Sequence, residues 1–160
     1  MNEKMRSLMV AHGALVFLVG LAAGFPFVYV ILEKVTLWPI PGSIDWKPPG
    51  DYRAWRMAHL EGILNGLTLI AVAAAGGQIK LSTRAQSIVG WGLIITAWGN
   101  ISASVIGPIF GGRGLEFGSG LSNSLMYLLF VAAIGMVITA MVLVCKGAMA
   151  NLKNMREAGD

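Results

Sequence analysis

The chain has 160 residues, 56% of them hydrophobic and only 12% charged, and its mean hydropathy is +0.69. Ordinary soluble domains carry about 25% charged residues, so a soluble globular fold is excluded. The net charge of +4 comes from basic residues scattered through loops, which is not the stripe that nucleic acid requires.

Four runs, residues 8–32, 54–76, 87–109 and 122–145, approach or exceed the roughly 20 apolar residues that cross a bilayer. They leave nothing over for a soluble domain. The sequence therefore predicts an all-α integral membrane four-helix bundle, a single transmembrane domain over residues 1–160. The first run lies where a signal peptide would, but its length of about 25 residues exceeds a 7–15-residue h-region, and no small-residue cleavage site follows it. It reads as a retained helix. This helix carries His12-Gly13 near its start, and Pro26 is expected to kink it or end its regular part.

The loop over residues 33–52 is rich in proline and aromatic residues, including Trp38-Pro39, Pro41-Gly42, Trp46 and Pro48-Pro49-Gly50. It is too apolar for a flexible linker and reads as a packed cover over one end of the bundle. Its tryptophans fit an interfacial aromatic belt. Helix 2 places His59, Glu61 and Asn65 within its first turns, although polar groups at membrane depth are costly and usually face a partner, a cavity or a ligand. A short turn through Gly76-Gly77-Gln78 leads to helix 3, which carries Trp98-Gly99-Asn100, Ser102 and Ser104. Glycines in the loop over residues 111–118 allow positive φ and tight turns. Helix 4 is the plainest, with Gly135 and several alanines that suit close helix packing. The single cysteine, Cys145, can form no intramolecular disulfide, and the absence of Cys-x-x-Cys-His excludes a covalently attached haem.

Placing both termini and the loop over residues 77–86 on one side gathers Lys4, Arg6, Lys80, Arg84, Lys146, Lys153 and Arg156, seven of the 12 basic residues. The positive-inside rule then puts both termini in the cytoplasm.

His59 is the leading candidate for chemistry. As a neutral imidazole it suits a metal or haem iron, with its second nitrogen held by a carbonyl. The alternative is a histidine bonded to a neighbouring helix. Trp55, His59, Gly62 and Gly66 share one face of helix 2, and the two glycines suit either a flat ligand or close packing. Glu61, Asn65 and Thr68 form a second face about 120° away, so both faces would meet one small molecule most easily between neighbouring subunits. For Glu61 the alternative is a protonated or arginine-paired carboxylate, with Arg53 and Arg56 as partners. His12 and His59 fall near opposite membrane faces in antiparallel helices, which argues against a bis-histidine haem and gives His12 a structural role. Asn100 is the second candidate, because a buried asparagine calls for a specific partner. Serines such as Ser102 and Ser104 often bond back to their own helix.

Ala58-His59-x-x-Gly62-x-x-Asn65-Gly66, Trp98-Gly99-Asn100 and Arg113-Gly114-Leu115-x-Phe117-Gly118, together with His12-Gly13, resemble the styrene oxide isomerase family. The resemblance spans most of the chain in order. It implies a homotrimeric haemoprotein of the bacterial inner membrane with ferric haem b at subunit interfaces. By the same resemblance His59 is the axial ligand of the iron and Asn65 stands on the substrate side; the face that Trp55, Gly62 and Gly66 share with His59 is then expected along the cofactor, and Asn100 and Ser104 are the further candidates on the substrate side. Ferric iron would act as a Lewis acid on a small apolar epoxide, giving an aldehyde or ketone by a 1,2-hydride shift, the Meinwald rearrangement. The family carries a tyrosine a few residues after Trp-Gly-Asn, whereas this chain has Ile101-Ser102-Ala103-Ser104. That departure leaves room for a different or bulkier epoxide, or another haem-assisted isomerisation. Two other classes remain: a non-catalytic b-type cytochrome or membrane anchor, and a small transporter with Glu61 as its proton-coupled carboxylate.

Overall fold

In the computed structural model, residues 1–37 and 39–158 are described; Trp38, expected in the aromatic belt, lies outside them. The elements are α1 (Glu3–Leu32), α2 (Tyr52–Ala74), a 3-10 turn (Ala75–Gly77), α3 (Thr83–Phe110) and α4 (Leu121–Glu157). All four helices are long and apolar enough to cross a membrane, the mark of a multi-pass membrane protein.

Three helices begin earlier than the apolar runs because polar side chains cap them. Asn2 Oδ1 accepts from Met5 N at 2.8 Å, Asp51 Oδ1 from Ala54 N at 2.8 Å and Ser82 Oγ from Ala85 N at 3.3 Å. The other end of α4 differs most from expectation. The apolar run stops at Cys145, yet the helix continues through strong helix formers to Glu157, where Lys153 and Glu157 pair at 3.7 Å. Its 37 residues extend about 55 Å, well beyond the roughly 30 Å hydrocarbon core. Pro26 does not end α1, which stays helical to Leu32. Within a membrane bundle, neighbouring helices can re-satisfy the backbone group that proline frees.

α1 and α2 are antiparallel and pack glycine on glycine. A Cβ added at Gly66 would lie 2.7 Å from Gly13 O, and one added at Gly20 would lie 2.7 Å from Ile63 N. The glycines bring no side chain to these crossings, so the two backbones touch directly. α3 packs against α1, α2 and α4 and is the most buried of the four. Its buried core partners include Met9 and Val16 of α1, Leu69 of α2 and Ala140 of α4. On α3, Thr96 Oγ1 donates both to Gly92 O of its own helix (2.9 Å) and to Ala133 O of α4 (3.0 Å), fixing the pair of helices at that level.

One end of the bundle joins the amino terminus, the 3-10 turn and α4. The Met1 ammonium donates to Gly76 O at 2.7 Å, and Lys80 N donates to Gly147 O at 3.1 Å. At the other end, the loop after α1 covers the bundle only through its last residues. Pro48 is buried and Gly50 lies on Pro108 of α3, but Ile40, Ile44 and Trp46 are more than half exposed, at 66%, 64% and 53%. Among the described residues of the loop, the packed cover expected from composition is thus seen at residues 48–50. The rest forms a single bridge between Val35 and Ile44, tied outside by a Lys47–Glu33 pair at 3.0 Å.

Gly20→Val forces a branched side chain into the backbone of α2 and should lower stability by about 3 kcal/mol. Gly92→Ala, whose Cβ would meet Met136 O at an ordinary 3.5 Å, should be neutral or slightly stabilising. Thermal unfolding in detergent by circular dichroism separates the two outcomes.

Candidate functional site

His59 stands on α2 against Gly20 and Gly24 of α1. Its Nδ1 lies 2.8 Å from Gly20 O. A carbonyl oxygen can only accept, so Nδ1 carries the proton and Nε2 keeps its lone pair. Among the described residues Nε2 has no hydrogen-bond partner. Phe27 stacks on the ring, centroid to centroid 6.1 Å and 24° between planes. Gly24 backs it on the same helix, where a Cβ would lie 3.1 Å from Nδ1. The imidazole is therefore held by one nitrogen and free at the other, the arrangement typical of a metal-ligating histidine. Among the described residues no three His, Cys, Asp or Glu side chains cluster. A metal held here must bring most of its own ligands, as a haem iron does.

The second face of α2 carries a polar chain that crosses to α3. Asn100 Nδ2 donates to Asn65 Oδ1 at 3.3 Å, and Asn65 Nδ2 donates to Glu61 O at 2.9 Å and to Glu61 Oε2 at 2.6 Å. Asn65 thereby links the other two. With both N–H groups of Asn65 engaged by Glu61, the donor this chain has to spare is the second N–H of Asn100. Neither Arg53 nor Arg56 pairs with Glu61; among the described residues its partner is Asn65.

Ser104 lies one turn beyond Asn100 on the same face of α3 and is only 4% exposed. It lines a cavity of about 830 Å³ between the first turn of α2, the end of α3, the following loop and α4. Arg53, Met57, Gly107, Pro108, Arg113 and Phe130 are among the other walls. The loop that closes this cavity hangs on Asn123, which the sequence reading missed. Its Oδ1 accepts from Arg113 N (3.0 Å) and Gly114 N (2.8 Å), and its Nδ2 donates to Glu116 O (2.9 Å) and Gly118 O (2.8 Å). The clue was an asparagine in the first turn of an apolar helix, beside a glycine-rich loop full of unpaired backbone groups. Gly111, Gly112, Gly114, Gly118 and Gly120 all have positive φ there.

Three residues expected along a cofactor are placed otherwise. Gly62 and Gly66 are buried against α1, which fills the space a flat ligand would need, so their stripe serves helix packing. Trp55 is 6% exposed, packs with Ala23, Val30 and Ala58, and donates its N–H to Pro49 O at 2.7 Å. It ties the loop to α2 and presents no face to a ligand. His12 accepts from Trp98 Nε1 at 3.0 Å through its Nδ1, with the rings edge to face. It sits eight to twelve residues from Gly20 and Gly24 along α1, about 12–18 Å from the level of His59. The two histidines cannot share an iron within one subunit.

The family described as styrene oxide isomerase matches residues 5–149. The chain belongs to that family. The styrene-oxide isomerase of Pseudomonas fluorescens is 31% identical over 80 residues, 49% of this chain and 47% of the relative. The match thus takes in about half the length of that curated member of the family. His59, Asn65, Asn100, Ser104 and the Asn123 loop all fall within the stretch that matches the family.

Asn123→Ala removes four hydrogen bonds that organise the loop and should destabilise the protein by about 2–3 kcal/mol. Amide hydrogen exchange of residues 113–118 should accelerate far more than exchange in α2. Unchanged protection of that loop would refute the role given to Asn123.

Proposed function

We propose that this protein is a haem-b-dependent epoxide isomerase of the bacterial inner membrane, with its termini in the cytoplasm. It would act as a homotrimer with haem at the subunit interfaces. The observation that carries the reading is the tautomer of His59, fixed by Gly20 O and open at Nε2. When bound, ferric haem b supplies a Lewis-acidic iron that draws electron density from an epoxide oxygen. His59 would hold that iron through Nε2, while the Gly20 carbonyl and the Phe27 face keep the ring in one orientation.

The rearrangement conserves every atom. A C–O bond of the epoxide breaks, a hydrogen moves with its electron pair to the neighbouring carbon, and the oxygen becomes a carbonyl. Asn100, positioned by Asn65, offers an N–H to the substrate oxygen. Glu61, fixed by Asn65, adds a carboxyl group to the same face of the site. The apolar surroundings exclude water, which would otherwise trap that carbon as a diol. His59 and the Asn100–Asn65–Glu61 chain occupy different faces of α2, so a site using both needs a second copy of the chain. Family membership supports the reaction class, and the substrate follows the name of the relative only as far as an apolar epoxide.

An absorption spectrum of the detergent-purified protein, before and after dithionite, tests the reading. A Soret band and a haem b pyridine haemochrome are expected, with styrene oxide converted to a carbonyl under oxidising conditions. His59→Ala should lose most of the haem and the activity, while His12→Ala keeps substantial haem. Gly24→Val, which crowds the ring off Gly20 O, should weaken haem binding about tenfold or more. A colourless protein that takes up no added haemin, or a normal haem spectrum in His59→Ala, would overturn the proposal.

A further inference from the structure

The cavity between the start of α2, the end of α3, the following loop and α4 is separate from His59, Asn65 and Asn100, none of which lines it. Its volume of about 830 Å³ lies towards the upper end of the roughly 300–1,000 Å³ typical of ligand cavities. The walls change character with depth. At the rim stand two arginines, Arg53 in the first turn of α2 and Arg113 in the glycine-rich loop. Farther in are Met57, Met126 and Phe130. At 1.5 Å per residue, Met57 lies about 8 Å from the start of α2 and Phe130 about 14 Å from the start of α4. Ser104 adds wall surface at similar depth, but its Oγ is closed off from the cavity and has no hydrogen-bond partner among the described residues.

The chain does not neutralise these arginines. Among the described residues the ion pairs are Lys47–Glu33 and Lys153–Glu157, and neither involves Arg53 or Arg113. Asp51 is the one carboxylate among the described lining residues, and its Oδ1 is engaged by Ala54 N as the cap of α2. A cation in the first turn of a helix is disfavoured by the helix dipole, so Arg53 gains from an anion brought to it.

α2 begins and α3 ends at this end of the bundle, so the rim stands where lipid headgroups meet the hydrocarbon. Guanidinium groups bind phosphate through paired N–H bonds, and basic recesses between membrane helices take up anionic headgroups. A free anion would gain nothing from the apolar interior, and a neutral apolar ligand would leave both arginines unused. Two guanidiniums and one carboxylate leave one positive charge, which a phosphodiester balances. The ammonium of a zwitterionic headgroup would restore the imbalance.

We infer that this cavity binds an anionic phospholipid, with its phosphate between Arg53 and Arg113 and the start of an acyl chain against Met57, Met126 and Phe130. The inference goes beyond the isomerase reading and does not depend on it.

The test uses full-length protein stripped of lipid in mild detergent, with phosphatidylglycerol, phosphatidylcholine and inorganic phosphate as probes. Native mass spectrometry counts the lipid bound per chain and gives relative affinities. The wild type should bind one phosphatidylglycerol per chain in preference to phosphatidylcholine, and excess inorganic phosphate should not displace it. Arg53→Gln and Arg113→Gln should each weaken phosphatidylglycerol about fivefold, the effect of about one basic residue near an anionic surface. The double variant should bind the two lipids alike. Lys34→Gln removes a charge at the same end of the bundle but outside the cavity, and should leave the preference intact. Met57→Trp fills part of the apolar interior and should weaken both lipids without changing their ratio. Circular dichroism in lipid-free detergent checks that every variant keeps the helical content of the wild type. The inference fails if the double variant keeps the wild-type preference. It fails equally if inorganic phosphate displaces the lipid, which would make this a site for a free anion. Wild-type protein that retains no phosphatidylglycerol, as when a neighbouring chain fills the cavity, would also overturn it.

Discussion

The direct contact between the backbones of α1 and α2 is the constraint on which the site depends. Gly13, Gly20, Gly62 and Gly66 remove the side chains that would separate the two helices. That approach brings Gly20 O within 2.8 Å of His59 Nδ1. A carbonyl inside a helix normally accepts from its own helix, and one that also receives an imidazole proton must be approached closely from outside. Here the glycine crossing provides that approach. The same backbone contact that substitutes for a hydrophobic driving force in lipid also selects the tautomer of the one histidine suited to hold a metal.

The second consequence is directional. With the His59 face of α2 pressed towards α1, the Glu61–Asn65 face turns towards α3, where Asn100 meets it. One helix thus serves two sites at different angles. The cavity that Ser104 lines lies towards the loop end of the bundle, where Asn123 organises the glycine-rich segment. Most of the hydrogen bonds that organise the loop end on Asn123, with Ser124 Oγ accepting from Gly118 N beside it.

The four-helix architecture was legible from hydropathy alone, since each helix coincides with an apolar run. The ends were less so. Caps at Asn2, Asp51 and Ser82 start helices within polar sequence, and α4 outlasts its apolar run by twelve residues because helix formation does not require apolar side chains. In the site, the positions of His59 and the polar face of α2 followed from spacing. The glycine stripe was ambiguous by nature, as spacing cannot say whether a partner helix or a ligand fills the gap beside Gly62. Trp55 misled for a related reason: it shares the histidine's face, but its level is that of the loop, and Pro49 O captures its N–H. Asn123 and the unpartnered Ser104 hydroxyl depend on contacts between distant segments, which no local pattern encodes.

Mixed assembly tests most directly whether two copies of α2 complete one site. His59→Ala and Asn65→Leu chains, each inactive alone, would be co-expressed with different tags and purified sequentially through both. Restored epoxide isomerisation in the doubly tagged oligomers, with haem content between those of the two variants, is the result expected if His59 and Asn65 act from different subunits. Doubly tagged oligomers that remain inactive would contradict it and place both residues within one subunit's site.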